Sequence, residues 1–268
     1  MTRVIAAITN DVAAPGVLAT AHDIAELYKG SVEAVHAGEE DATVTEAARE
    51  AGVPLRAIPG TPTEAIARAA RADDVVAVVL GAPDVVGGSV PVGNTAMLLI
   101  SVLEKPAVVV PPGGAAGGRP IVRILVPLDG TAESAAALEE IVQLACDAAV
   151  EVVVAHVQEE CALPAFSNHL AHEVRAWSDE FIARNCPAAL DATLELRVGE
   201  PHEHVIDIVR SSGCDLVALG WSQNLAPGHA AVVRRVLAES PVPVFLTPTS
   251  VDTSFSPPTV DAGDSARA

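Results

Sequence analysis

Short runs of β-branched and aliphatic residues alternate along this chain with stretches in which apolar positions recur every three or four residues. The first pattern suits buried strands and the second amphipathic helices, so their alternation predicts a parallel sheet covered by helices. Five strands are read in the first half: Arg3 to Ile8, Ser31 to Ala37, Val53 to Ile58, Val75 to Leu80 and a closing run within Lys105 to Pro112. Val17, Ala21, Ile24 and Tyr28 keep helical spacing after the first strand, and Gly93 to Leu103 reads as the helix before the last. Thr61-Pro62-Thr63-Glu64 is a strong helix start, with an N-cap, a first-turn proline and a capping-box glutamate.

The same order returns in the second half. Ile121 to Leu128, Glu151 to Val157, Leu194 to Val198, Leu216 to Leu219 and Val242 to Leu246 read as strands. Leu138, Ile141, Val142 and Ala145 form one helical stripe; Phe166, Leu170, Val174, Trp177 and Phe181 form another. Further helices start near Pro201 and Ala230. The two halves also share wording: LRAIPGTP leads to DDVVAVVLG, and LRVGEP leads to CDLVALG, with Pro62 and Pro201 separated by 139 positions, as are Gly81 and Gly220. Each copy is large enough to own a core. The expectation is an α/β chain of two tandem doubly wound domains, each a five-stranded parallel sheet with helices on both faces. Their bounds are 1–112 and 121–248, joined by a Gly-rich linker over 113–120. The tail, 249–268, is rich in Ser, Thr, Pro and Asp and is expected to be disordered. The closing strands, Ala107 to Val110 and Val242 to Leu246, are expected to pair, because an apolar sheet edge needs a cover.

A length of 268 residues agrees with two domains. Half the residues are hydrophobic but only seven are aromatic, so the cores rest on close packing of Ala and Val. No apolar run reaches the roughly 18 residues that would span a bilayer, and the N-terminus meets an acidic residue too early for a signal peptide. Cys146, Cys161, Cys186 and Cys214 all lie in the second copy without CxxC spacing, which suggests reduced, buried thiols in a cytoplasmic protein. A formal charge of −19 argues against nucleic acid or an anionic membrane as partner. It leaves room for a nucleotide, since backbone amides at a helix start hold phosphate locally.

An open parallel sheet binds ligands outside the carboxyl ends of its strands, where strand order reverses. Asp129, in Pro127-Leu128-Asp129-Gly130-Thr131 after the first strand of the second copy, could accept hydrogen bonds from a base or ribose, or could cap the following helix. At this point the chain resembles the universal stress protein family. ILVPLDGTAES, VVVAHV, GEP…CDLVALG and VVRRVLAESPVPVFL carry the resemblance over Ile121 to Pro248, and VVAVVLG with KPAVVVP extends it more loosely over Arg3 to Pro112. The family implies a doubly wound five-stranded domain, often dimeric or tandem, in which some members bind ATP. The ATP-binding members carry a loop of spacing Gly-x2-Gly-x9-Gly-Ser/Thr/Asn after the fourth strand.

In the first copy that resemblance selects Gly81, Gly87, Gly88 and Gly93-Asn94-Thr95, with Asp84 in place of the middle glycine. A carboxylate there would oppose phosphate by charge. In the second copy Gly220 matches, Gln223 replaces the middle glycine, and Trp221 and Gln223 are expected to fill the loop. The first copy has Thr9-Asn10-Asp11 where the second has Asp129-Gly130-Thr131. One copy therefore keeps the phosphate-type loop and the other the adenine-side Asp. On this count any adenine nucleotide such as ATP is expected in the first copy, weakly.

Other constellations carry less. His169, His172 and Glu173 read as a solvated helical face, His202 and His204 as polar surface, His156 as a strand-end histidine, Arg234-Arg235 as surface charge, and Ser134 as a helix-start residue. No nucleophile has a visible base and no metal-ligand cluster has suitable spacing, so no enzyme is expected. Two functions lead: a nucleotide-responsive stress protein, and a tandem protein that acts by protein contacts alone; a third and weaker reading, an adenine-nucleotide hydrolase of related fold, would need a phosphate loop that Thr9 to Pro15 does not supply. The partners expected are the two domains themselves, a second copy in a homodimer, and an unnamed protein.

Overall fold

A computed structural model describes residues 1–39, 41–82, 94–112, 120–158, 171–224 and 230–249. The linker expected over 113–120 (Pro120 apart) and the tail beyond Thr249 lie outside the described residues. The first half contains β1 (Arg3–Ala7), α1 (Ala14–Leu27), β2 (Ser31–Ala37), α2 (Ala42–Glu50), β3 (Leu55–Ile58), α3 (Pro62–Ala70), β4 (Val75–Gly81), α4 (Asn94–Val102) and β5 (Ala107–Val110). The second contains β6 (Arg123–Pro127), α5 (Ala132–Asp147), β7 (Glu151–Gln158), α6 (Ala171–Asn185), β8 (Thr193–Val198), α7 (Pro201–Ser212), β9 (Leu216–Trp221), α8 (Ala231–Glu239) and β10 (Val244–Pro248).

The expected sheets are present and fused. Ten strands lie in the order β3-β2-β1-β4-β5-β10-β9-β6-β7-β8. Within each half all pairings are parallel. At the seam β10 runs antiparallel to β5, with Val244 opposite Val109, Phe245 opposite Val108 and Leu246 opposite Ala107. The two closing strands thus pair as expected, and neither is left as an apolar edge. Their antiparallel sense also means that the strand carboxyl ends of the two halves point in opposite directions.

Side chains alternate across the pleat, so neighbouring residues serve different layers. Val4 and Ala6 enter the layer under α1, α2, α5 and α6, whereas Ile5 enters the layer under α3, α4, α7 and α8. Each layer runs through both halves: Val108 and Phe245 join one, Val109 and Leu246 the other. Local chemistry fixes the helix starts. Thr61 accepts from the Glu64 backbone N–H while Glu64 reaches back to Thr61, completing the capping box. Thr131 caps α5 by accepting from Ser134 N.

The halves also meet electrostatically. Asp23 on α1 is pushed up to about 6, first by burial, then by Glu26, with His22 opposing and Asp215 of the second half adding to the rise. A carboxyl raised in the folded chain binds protons more tightly there than in the unfolded chain, so stability falls as pH rises from its ordinary 3.8 to about 6. We therefore expect Asp23→Asn to raise stability at pH 7 by about 1–2 kcal/mol, after allowance for screening, and to be neutral in strong acid. Urea melts across that pH range check both limbs. Phe245 is 1 % exposed at the seam. Phe245→Ala should cost about 3–5 kcal/mol and lower amide-exchange protection in β5 as well as β10; protection lost from β10 alone would contradict a shared seam.

Candidate functional site

Strand order reverses between β1 and β4 in the first half and between β6 and β9 in the second, and a cleft opens at the carboxyl ends beside each reversal. The second-half cleft measures about 430 Å³, with Asp129, Ser134, His156 and Gln158 among Leu128, Val205, Leu219, Gly220 and Val233. Its first-half counterpart measures about 240 Å³ and is lined by Thr9, Asp11, Ala13, Val17, Gly81 and Leu99. Ligand clefts are commonly about 300–1,000 Å³, so the second is the roomier seat.

Of the two roles the sequence allowed, the structure shows Asp129 in the one at the start of α5. Its Oδ1 accepts from Thr131 N at 2.9 Å, Thr131 Oγ1 at 2.7 Å and Ser134 Oγ at 2.5 Å, which anchors the start of α5. Partial burial pushes the carboxyl up, but the bonds from Ser134 and Thr131 outweigh it and hold the group below the usual carboxylate range. All three bonds fall on Oδ1, and Oδ2 has no partner among the described residues. In the first half the same threonine-to-aspartate bond exists with the two residues in the reverse order along the chain: Thr9 Oγ1 donates to Asp11 Oδ2 at 2.6 Å. Asp11 Oδ1 then accepts from Ala13 N at 2.9 Å, so both of its oxygens are occupied at the start of α1.

The histidines pair off in the same way, and the sequence reading missed one of them. His156 Nδ1 lies 2.7 Å from the Leu128 carbonyl, and His36 Nδ1 lies 3.0 Å from the Ile8 carbonyl. A carbonyl only accepts, so each Nδ1 carries the proton and donates. The shared offset of 120 positions between these two contacts was the signal that would have found His36. The His156 ring also packs on Phe181, with centroids 4.6 Å apart, as Trp177 packs on Phe181 at 5.3 Å. Gly130, at φ +86°, passes beneath this cluster, 3.6–3.7 Å separating a notional Cβ there from Phe181 and His156.

The glycines at the strand ends have a packing role. A Cβ at Gly81 would stand 3.0 Å from Ala13 Cβ, and one at Gly220 would stand 3.2 Å from Ala137 Cβ. Each lets the helix after the first strand of its half close on the sheet, and each also lines its cleft. Asn94 and Thr95 open α4. Gly87, Gly88, Gly93 and Asp84 lie outside the described residues. Trp221, expected to fill the loop, is instead the last residue of β9 and is buried in the sheet layer under α7 and α8, and Gln223 turns away to the first half, donating to Ile100 O and Leu103 O. Among the described residues no group of three metal-ligating side chains converges, and no helix is long and apolar enough to cross a membrane.

We expect Asp129→Ala to loosen the first turn of α5 and cost about 1 kcal/mol near neutral pH. Because the folded carboxyl lies below its ordinary value, its contribution is complete above that value and is lost as pH falls through the folded one. Native and variant stabilities should therefore converge in strong acid, as a pH series of urea melts would show.

Residues 121–248 match the model of the universal stress protein family. No curated protein matches the chain significantly. Among solved structures, a Pseudomonas aeruginosa UCBPP-PA14 protein assigned to the universal stress proteins superposes with a TM-score of 0.67 at 14% identity, covering 93% of this chain and 94% of that one. A universal stress protein from Archaeoglobus fulgidus DSM 4304 gives 0.63 at 15%, covering 92% and 98%. The cytoplasmic domain of a prokaryotic cation chloride cotransporter gives 0.50 at 13%, covering 92% and 95%. At such identities the likeness is one of fold, while the family match rests on the second half. Residues 121–248 form a domain of the universal stress protein family, and the chain as a whole has the fold of that family's tandem forms.

Proposed function

We infer that the chain is a cytoplasmic, stress-type regulatory protein that takes an adenine nucleotide at a strand-end cleft and signals through its surface. The observation that carries this reading is the second-half cleft itself. It is large enough for a nucleoside, with aliphatic walls for a base, and Asp129 Oδ2 is an ionised acceptor for a ribose hydroxyl or an exocyclic amine. The sequence favoured the first half on its glycines. The smaller cleft there and the occupied oxygens of Asp11 favour the second.

Binding without turnover is part of the proposal. Ser134 donates to a carboxylate held below its usual range, which makes a weak base, and the Nδ1 proton of His156 is committed to Leu128 O. The alternative, a tandem protein that works by protein contacts alone, draws on a specific observation too. Gln223 occupies the position of the family's middle glycine and turns its side chain to α4.

Titration of a fluorescent ATP analogue against the native chain, Asp129→Ala, Asp84→Gly and Gly93→Val separates these readings. Asp129→Ala is expected to weaken binding about tenfold, the worth of a hydrogen bond to a charged group, and Gly93→Val to leave it unchanged. The reverse pattern, with tighter binding by Asp84→Gly, would move the site to the first half. No binding in any variant would leave the protein-contact reading.

A further inference from the structure

The loop after β9 makes one contact that the cleft beside it does not require. Gln223 holds its backbone at φ +57°, a left-handed conformation disfavoured for residues with a side chain. Its amide nitrogen donates to Ile100 O at 3.1 Å and to Leu103 O at 2.7 Å. Both acceptors are carbonyls, so the nitrogen is the atom facing them. These carbonyls stand at the C-terminal end of α4, where no further helical N–H remains to meet them. Gln223 therefore caps a helix of the other half, in a partly buried setting where water competes poorly.

Each end of this connection abuts a cleft. Gly220, three residues before Gln223, lines the second-half cleft. Ala96 and Leu99, on the helix that Gln223 caps, line the first-half cleft. The helix between has nine residues, about 13 Å of stiff backbone. We propose that Gln223 is a latch that couples the two strand-end clefts, so that a shift at the end of β9 is passed to α4 and reshapes the opposite cleft. The coupling requires no ligand; only its use in signalling rests on the adenine-nucleotide reading above.

A mutant cycle tests it. Gly220→Ala places a methyl 3.2 Å from Ala137 Cβ and 3.3 Å from Thr249 Cγ2, a crowding that the end of β9 and its neighbours relieve by shifting a few tenths of an ångström. In the native background this should change amide exchange of Leu99 to Leu103 by about threefold or more, and in a Gln223→Gly background it should leave it unchanged. Glycine suits the backbone at this position, so Gln223→Gly should fold; Gln223→Leu, which keeps bulk without a donor, is the second variant. Either substitution alone should speed exchange at the end of α4 by about tenfold, as expected for the loss of one or two neutral hydrogen bonds. An α4 that ignores Gly220→Ala in the native chain, or answers it equally without the glutamine, overturns the latch. With a saturating fluorescent ATP analogue, exchange in α4 should slow in the native chain and not in Gln223→Gly. A bound analogue that leaves α4 unchanged also overturns the latch. Failure of the analogue to bind overturns the nucleotide reading instead, and the Gly220→Ala cycle then decides the latch by itself.

Discussion

The antiparallel ladder between β5 and β10 is the constraint from which the rest of the architecture follows. It turns two parallel sheets into one and makes both hydrophobic layers continuous from end to end. It also sets the polarity of the molecule, because strands that meet head to tail carry their ligand-binding ends in opposite directions. The seam is short, and its strength lies in what it excludes. Val108, Val109, Phe245 and Leu246 are nearly inaccessible to water, so opening the ladder would expose apolar surface on both faces as well as unpaired backbone.

Most of the architecture was legible because strand and helix periods differ and each was kept cleanly. Thr61 and Glu64 announced α3 to the residue, and the repeated landmarks fixed the number of strands in each half. Pairing of the closing strands could be read from their apolar character, although the sense of that pairing could not, since either direction satisfies an edge. The site was less legible. Asp129 was visible as a residue at a strand end, but its three hydrogen bonds depend on the turn geometry after β6. Gln223 looked like filler for its own loop, and only the three-dimensional seam brings it to α4, more than a hundred positions earlier in the chain.

The strand-end glycines show why motif spacing alone is a weak guide here. A glycine that lets backbone approach a phosphate and one that lets a helix approach a strand look the same in a sequence. Gly81 and Gly220 serve the second purpose in this fold, which needs no ligand. The hydrogen bonds around Asp11 and Asp129 carry more information, because copies of a shared plan place the threonine donor before the aspartate in one half and after it in the other.

That reversal of the two positions is open to a tandem chain in a way it is not to a symmetric dimer. In a dimer of identical subunits every substitution appears twice, related by the axis, and any change that suits one seat is imposed on the other. Here Thr9 and Asp11 can be tuned apart from Asp129 and Thr131. The left-handed backbone at Gln223 is likewise a local cost borne in one half of the chain. Broken symmetry gives the molecule a distinguishable front and back, so that a partner docking at one end meets a surface the other end does not offer.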